Sequence, residues 1–512
     1  MLRKARPASS FVLLAALSLV AAACGSRVVP LDYTGVPGAP VPTASGTLDP
    51  SNPTPGTSPG ATGGPGGGGG NPTAAPGDED CTGGGATDRG VTADKIKVGL
   101  VASKTGPLPG QFDSAIEAVD AHFKMVNAEG GICGLQVELH VRDDNGNGTT
   151  NERVSRELAE EVGVFSFVGS TSAPDDRGIG KVSREHKLPD IGFPLTYERS
   201  ESPYTFGVPG QLQRNIIGHG ATGSQYLNEE FGIKQIAILW VGESLVSKAN
   251  AWAFEAAMLK VNDGNMIICY EQETAVLDNN FQNYAIAMKG DCDPNDGPLA
   301  VYSTMENNSN IKLADAMQQQ DVQYEIFVPT FTSYLPSFIR DSTEGAYLAI
   351  PQIPFERCQL GSDGRPSAPC SQPELQRYVS ALQRYTPGYK APGSFGGPGW
   401  GMAALFVTAA RACGKELTRD CVLNELETMA PFSANGFLSP TKPGDHLIYA
   451  ADLVMQVRGG KFVEVRPNDH SGPKEAPDIW DNSTLFDWWD YFCGHKDEFP
   501  SRDNIDGFVT SC

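Results

Sequence analysis

Residues 96–141 read IKVGLVASKTGPLPGQFDSAIEAVDAHFKMVNAEGGICGLQVELHV, and this stretch decides the fold. Residues 96–102 form a short apolar run that ends in Ser103-Lys104-Thr105-Gly106-Pro107, a strand followed by a turn. Phe112, Ile116, Val119, Phe123 and Val126 then fall at i, i+4, i+7, i+11 and i+14, the spacing of one helix face. Gly130-Gly131 ends that helix. Residues 135–141 alternate apolar and polar, as a second strand does.

Working outward, the alternation continues. A helix is predicted near 150–162, a buried strand at 165–169, a helix at 174–187 and a strand at 189–193. The series restarts at 235–240 (QIAILW). Helix 248–262, strand 265–271, helix 280–289, strand 299–303, helix 310–319 and strand 325–329 follow. Two successive series of this kind predict an α/β fold of two Rossmann-like lobes with central parallel sheets. Beyond 330 come a Pro/Gly-rich loop at 351–373, helices near 373–385 and 399–412, and a hairpin. Its strands are 452–457 and 461–465 around Arg458-Gly459-Gly460. Residues 467–512 look irregular, with Trp480, Trp488, Trp489, Tyr491 and Phe492 clustered. They read as a tail packed on the body rather than an exposed docking patch.

The other end of the chain reads as an export and tether region. Arg3, Lys4 and Arg6 precede an apolar run at 11–23, too short for a bilayer span of about 20 residues. Ala21-Ala22-Ala23-Cys24-Gly25 resembles a lipoprotein cleavage site, with Ala21 where Leu is usual. The expectation is a signal peptide at 1–23 and lipid on Cys24; ordinary secretion with a free Cys24 is the alternative. Residues 30–80 hold 13 Gly and 11 Pro and no Lys or Arg. Such a segment buries too little apolar surface to offset chain entropy, so 24–87 reads as a disordered tether. Lobe 1 is assigned 88–209 plus 330–450, lobe 2 is assigned 210–329 plus 451–466, and 467–512 is a C-terminal extension.

Charge and cysteine usage narrow the function. The 512 residues carry a formal net charge of −22, which disfavours nucleic acid as a partner. Of eleven Cys, setting Cys24 aside leaves an even number, which in an exported chain predicts disulfides. Local pairing gives Cys81–Cys133, Cys269–Cys292, Cys358–Cys370, Cys413–Cys421 and Cys493–Cys512, with Cys81–Cys512 also open. Cys413–Cys421 is favoured because Gly414 ends one helix and Thr418 opens the next. No C-x-x-C pair or zinc spacing occurs, so neither a metal nor a cofactor is expected.

Catalytic signatures are absent: there is no G-x-S-x-G, no H-E-x-x-H and no Walker loop. Asp143–Gly148 (DDNGNG) mimics a calcium loop but has Val154 where the bidentate Glu belongs, so it reads as a strand-to-helix turn. The pairs Asp143-Asp144 and Asp175-Asp176 read as solvated loop acids. What remains is the set of loops following parallel strands, where open α/β sheets bind ligands: 103–111, 169–173, 193–197, 240–244 and 303–307. Ser170, Thr171 and Ser172 could hold an anionic group, or simply cap the next helix. Thr196 would converge on the same cleft.

Ile96-Lys97-Val98-Gly99, Thr105-Gly106-Pro107-Leu108, the run Phe123–Asn127 with Gly130-Gly131-Ile132, Arg142-Asp143-Asp144 and Val168-Gly169-Ser170 together resemble the type I periplasmic solute-binding proteins. The leucine/isoleucine/valine-binding branch of ABC importers is the nearest in pattern, over about 90–465. The resemblance implies three crossovers forming a hinge, and a ligand in the interlobe cleft. It puts the carboxylate-binding Ser turn on Ser170–Ser172, the strand-end carbonyl and Thr on Pro194 and Thr196, and the residue before the first helix on Gln111 or Phe112. The acid receiving the ligand's amino group falls on Glu306, which could instead be only a helix-start acid. The family's frequent Tyr-Gly pair is missing from Trp240–Leu245, which points away from a branched-chain amino acid. The function so implied is capture of a small polar ligand, possibly an amino acid, for an ABC permease. A ligand-sensing receptor of the same fold is the alternative, and a secreted hydrolase the weaker one.

Overall fold

The computed structural model describes residues 86–210, 216–217, 230–261, 266–389, 393–447, 451–465, 481–482 and 486–487. Cys24, Cys81, Cys493, Cys512 and the aromatic cluster after 480 lie outside the described residues.

The first lobe contains β1 (Lys95–Ala102), α1 (Asp113–Ala128), β2 (Gln136–Asp143), α2 (Gly148–Arg156), β3 (Ser166–Ser170), α3 (Arg177–His186), β4 (Asp190–Gly192), α4 (Tyr197–Ser200) and β5 (Thr205–Gly207). A π-helical turn, Glu157–Val162, extends α2. The sheet order is β2-β1-β3-β4-β5 and every pairing is parallel. α1 forms because its apolar stripe is buried: Ala115, Ala118, Val119, Phe123 and Val126 are all nearly inaccessible. Its end is fixed by Asn127, whose carboxamide donates to Val137 O (2.9 Å) and accepts from Val137 N (2.8 Å).

The second lobe repeats this plan. After β6 (Ile216–Ile217) come β7 (Gln235–Val241), α5 (Leu245–Val261), β8 (Ile267–Thr274), α6 (Phe281–Asp291), β9 (Leu299–Ser303), α7 (Asn307–Gln319) and β10 (Ile326–Pro329). The sheet order is β10-β9-β7-β8, again parallel. In both lobes the opening strand lies between its second and third strands. Strand order therefore reverses at the opening strand, and a crevice opens at its carboxyl end.

The return path departs from expectation. β11 (Tyr347–Ile350) pairs antiparallel with β14 (Ala451–Val457), and Tyr347 and Val454 pack in the second lobe's core. β11 thus joins the closing hairpin as a further antiparallel strand. The expected loop at 351–373 contains a two-stranded ribbon, β12 (Cys358–Leu360) with β13 (Pro366–Cys370). α8 (Pro373–Tyr385) and α9 (Gly396–Cys413) pack on α1, and α10 (Arg419–Thr428) follows. The closing hairpin pairs β14 with β15 (Phe462–Val465). The tail is not wholly irregular: β16 (Asp481–Asn482) pairs with β14, and β17 (Phe486–Asp487) with β6.

Cys269–Cys292, Cys358–Cys370 and Cys413–Cys421 are disulfides, as local pairing predicts. Cys133 is also disulfide-bonded, and its predicted partner lies outside the described residues. Around Cys413–Cys421, Gly414 ends α9, and the Thr418 hydroxyl caps α10 by accepting from Cys421 N (3.2 Å).

Candidate functional site

The two crevices face one cavity of about 110 Å³. All five loops named from the sequence reach it. Gln111 and Phe112 come from the segment after β1, Ala173 from the segment after β3, and Phe193 and Leu195 from the segment after β4. From the second lobe come Val241, Ser244 and Thr304 to Glu306.

Four phenylalanines build its apolar wall. Phe112 and Phe395 meet edge to face at 4.9 Å between ring centroids, Phe331 and Phe395 at 5.2 Å, Phe193 and Phe395 at 5.4 Å, and Phe193 and Phe331 at 5.8 Å. These are favourable ring geometries, each worth about 0.5–1.5 kcal/mol beyond area burial. Phe331 and Phe395 were missed from the sequence, and Phe193 was named only as the start of a loop. They follow three different elements, and no local spacing connects them.

The hydroxyls in the wall are already bonded within the protein. Ser247 Oγ and Thr304 Oγ1 lie 2.9 Å apart, and Thr304 Oγ1 also donates to Ser247 O (2.8 Å). Thr330 and Thr332 share a hydrogen bond of 2.8 Å, and Thr332 reaches Met305 O. By contrast Gln111 Nε2, a buried donor, has no partner. Among the described residues no Lys, Arg or His lines the cavity.

Several expected contacts are placed elsewhere. Ser170, Thr171 and Ser172 are fully buried and do not line the cavity. Ser170 Oγ accepts from Val101 N (3.1 Å), Thr171 Oγ1 donates to Gly169 O (3.3 Å), and Ser172 Oγ donates to Val101 O (3.3 Å). Their side chains thus stitch β3 to β1 and to its own backbone. They do not cap α3 either, since that helix starts at Arg177. Pro194 and Thr196 flank lining residues without lining the cavity themselves, and Thr196 donates its hydroxyl to Asp176 Oδ1 (2.5 Å). Gln111 and Phe112 line the cavity as expected of that position. Glu306 lines it too, but its carboxylate caps α7. Oε1 accepts from Ser309 N (2.8 Å) and Ser309 Oγ (2.6 Å), and Oε2 accepts from Asn308 N (2.5 Å). The helix-start role is therefore the one the geometry displays.

Two of the acids read as solvated, Asp144 and Asp176, are structural hubs. Asp144 is fully buried and accepts from Ser103 Oγ (2.7 Å), Gly146 N (2.9 Å) and Asn151 Nδ2 (2.8 Å), tying the β2–α2 turn to the end of β1. Asp176, Asp190 and Arg199 are all inaccessible. Arg199 clamps Asp190 through two 2.8 Å bonds and reaches Asp176 at 3.0 Å. Its remaining donors go to Ser170 O (3.2 Å) and Phe193 O (3.4 Å), while Leu195 N donates to Asp176 Oδ2 (2.7 Å). This network holds the segment that presents Phe193 and Leu195. Asp175, one residue earlier, pairs with Arg177 in the open. The sequence carries no signal separating the two acids, because their different fates depend on Arg199, which folds back from α4.

Among the described residues no group of His, Cys, Asp and Glu could hold a metal ion. No helix among them is long and apolar enough to cross a membrane.

A family profile described as periplasmic binding protein matches residues 95–461. No curated protein matches the sequence significantly. Among solved structures, a leucine-binding protein from Thermotoga maritima is 14% identical, with a TM-score of 0.59, over 72% of this chain and 98% of that one. A branched-chain amino acid transporter substrate-binding protein from Streptococcus pneumoniae, in complex with isoleucine, is 15% identical. Its TM-score is 0.56, over 73% of this chain and all of that one. A fatty acid ABC transporter substrate-binding protein from Thermomonospora curvata is 17% identical, with a TM-score of 0.59, over 75% and 95%. At these identities the likeness speaks to the fold.

Proposed function

From the premise that the chain belongs to the periplasmic binding protein family, we propose that it captures a small, largely apolar solute between its lobes and delivers it to an ABC permease. The family is one of solute-binding proteins rather than enzymes, and it implies an extracytoplasmic location. The observation that carries the ligand reading is the cavity wall: four phenylalanines, hydroxyls already bonded to one another, a carboxylate, Glu306, committed to a helix cap, and, among the described residues, no cation. An amino acid brings an ammonium and a carboxylate, and burying either without a partner is strongly unfavourable. The expected partners for those groups, Ser170–Ser172 and Glu306, are engaged elsewhere. This moves the reading from a polar ligand to an apolar one.

The anchor belongs to the same proposal. Lipid on Cys24 would hold the protein at the membrane beside the permease, with residues 24–87 as the tether. Two or more acyl chains give stable attachment where one is marginal. Replacing Cys24 by Ala should release the protein into the medium, and unchanged membrane retention would defeat this part.

The ligand reading is tested by thermal shift across a metabolite panel. A ligand at 100 times its dissociation constant adds about 2.7 kcal/mol to stability. Small apolar solutes should raise Tm while leucine, isoleucine and valine should not. Stabilisation by the amino acids alone would overturn the reading.

A further inference from the structure

A second recess of about 360 Å³ adjoins the cavity. Gln111 lines both, and Glu306 of the first is followed by Asn307 of the second. Asn307 is 3% exposed. Its Nδ2 donates to Ser337 Oγ (3.1 Å), and its Oδ1 has no partner. The recess is therefore lined by two residues with unsatisfied buried groups: Gln111, whose Nε2 is a donor, and Asn307, whose Oδ1 is an acceptor. Buried polar groups are nearly always paired, so two orphans of opposite kind on one recess mark a place for a ligand group offering an acceptor and a donor.

We propose that the site is bipartite: the phenylalanine-walled chamber takes a short apolar group, and the recess lined by Gln111 and Asn307 reads a neutral donor–acceptor head such as a carboxamide. The inference rests on the apolar-ligand reading above and extends it to the head group. Size sets the apolar part. A cavity of about 150 Å³ accepts benzene, so the smaller chamber here suits roughly four or five carbons. Charge sets the head. A carboxylate offers only acceptors, would meet Asn307 Oδ1 unfavourably, and finds no Lys, Arg or His among the described residues that line either chamber. Asp113 of the recess and Glu306 beside it add negative charge. An ammonium offers only donors and leaves Gln111 Nε2 unsatisfied. A carboxamide matches both.

The test is calorimetric titration of the intact protein with pentanamide, pentanoate and pentylammonium, which share one chain length. Pentanamide should bind at least tenfold more tightly than either ion. In Gln111→Met and in Asn307→Leu, each checked for an unshifted circular dichroism spectrum, the three probes should come within about threefold of one another. Equal binding of all three by the unsubstituted protein would overturn the bipartite site and leave the apolar chamber standing. So would an amide preference that survives in both variants. Binding of none of the three would overturn the apolar-ligand reading, and this inference with it.

Discussion

Replacing Arg199 by Met removes the centre of the buried ion network without opening a large void, because the Met chain follows the Arg stem. It leaves Asp190 and Asp176, both inaccessible, without their cation. Three charge-assisted bonds are lost, together with the contacts to Ser170 O and Phe193 O. Removing one partner of a buried ion pair typically costs 3–5 kcal/mol, since the charge left behind is uncompensated. Unfolding entropy is about 2.1 cal/mol/K per residue, so over residues 95–461 that cost lowers Tm by about 4–7 °C. The penalty should depend on pH with a definite sign. Burial already holds the Asp176 carboxyl above its usual value of about 3.9 with the guanidinium in place, and losing that cation pushes it further up. The native variant then binds more protons than the unfolded chain, so its stability falls as pH rises through that window. Scanning calorimetry at pH 5 and pH 8 would show the larger loss at pH 8. A Tm within 1 °C of the unsubstituted protein at both pH values would refute the assignment of this network as the support of the first lobe's rim.

Glu356 is a second pH-dependent group. Burial holds its pKa up at about 7, with the Tyr334 hydroxyl bonded to it and Glu464, itself paired with Arg357, nearby. Between pH 4.5 and 7 the native state keeps a proton that the unfolded chain releases. Stability should therefore fall as pH rises across this window, by up to about 3 kcal/mol, and Glu356→Gln should flatten that slope in urea titrations. Gly169 has φ +84°, and an added Cβ would lie 2.6 Å from Val119 Cγ2 and 2.9 Å from Leu100 Cδ1. Gly169→Ala should cost about 2–4 kcal/mol, read as a shifted urea midpoint. Glu306→Gln should lower stability by about 1 kcal/mol, as for a weakened helix cap, and leave the affinity of an apolar ligand unchanged; a large loss of affinity would return Glu306 to ligand contact. Opening Cys413–Cys421 with paired Ser substitutions should cost about 2.5 kcal/mol in the chain-entropy model, and a free thiol on Cys413 in unreduced peptide maps would remove the premise.

The parallel strands were legible because burial on both faces turns them into apolar runs, such as 96–102 and 235–240. α1 was legible because its stripe repeats at helical spacing over four turns. β11 was not, since YLAI is four residues long and its pairing partner lies about a hundred positions later in the chain. The loops that reach the site were legible from topology alone, but the side chains were not. Ser170–Ser172 read as a polar cradle, yet whether a hydroxyl at a strand end faces the cleft or the neighbouring strand depends on a local bend. Here the pairing register shifts between Val168 and Ser170, and Ser170 Oγ accepts from Val101 N. Phe331 and Phe395 escaped because each looks like an ordinary core residue until the fold brings them together.

The apolar wall and the ionic network behind it form one arrangement. Apolar contact has no direction, so a cavity of this kind selects by volume and shape. A misfit of one methylene is worth about 1–3 kcal/mol, or 10- to 200-fold in preference, only if the wall does not yield to it. The first lobe's rim carries Phe193 and Leu195 on a short segment between β4 and α4, which would give way if held by its own packing alone. Arg199 and Asp176 grip that segment through Phe193 O and Leu195 N, and Asp190 fixes Arg199 to the sheet. These three charges thus lie one layer behind the ligand, where they hold the phenylalanine wall in place without entering the cavity.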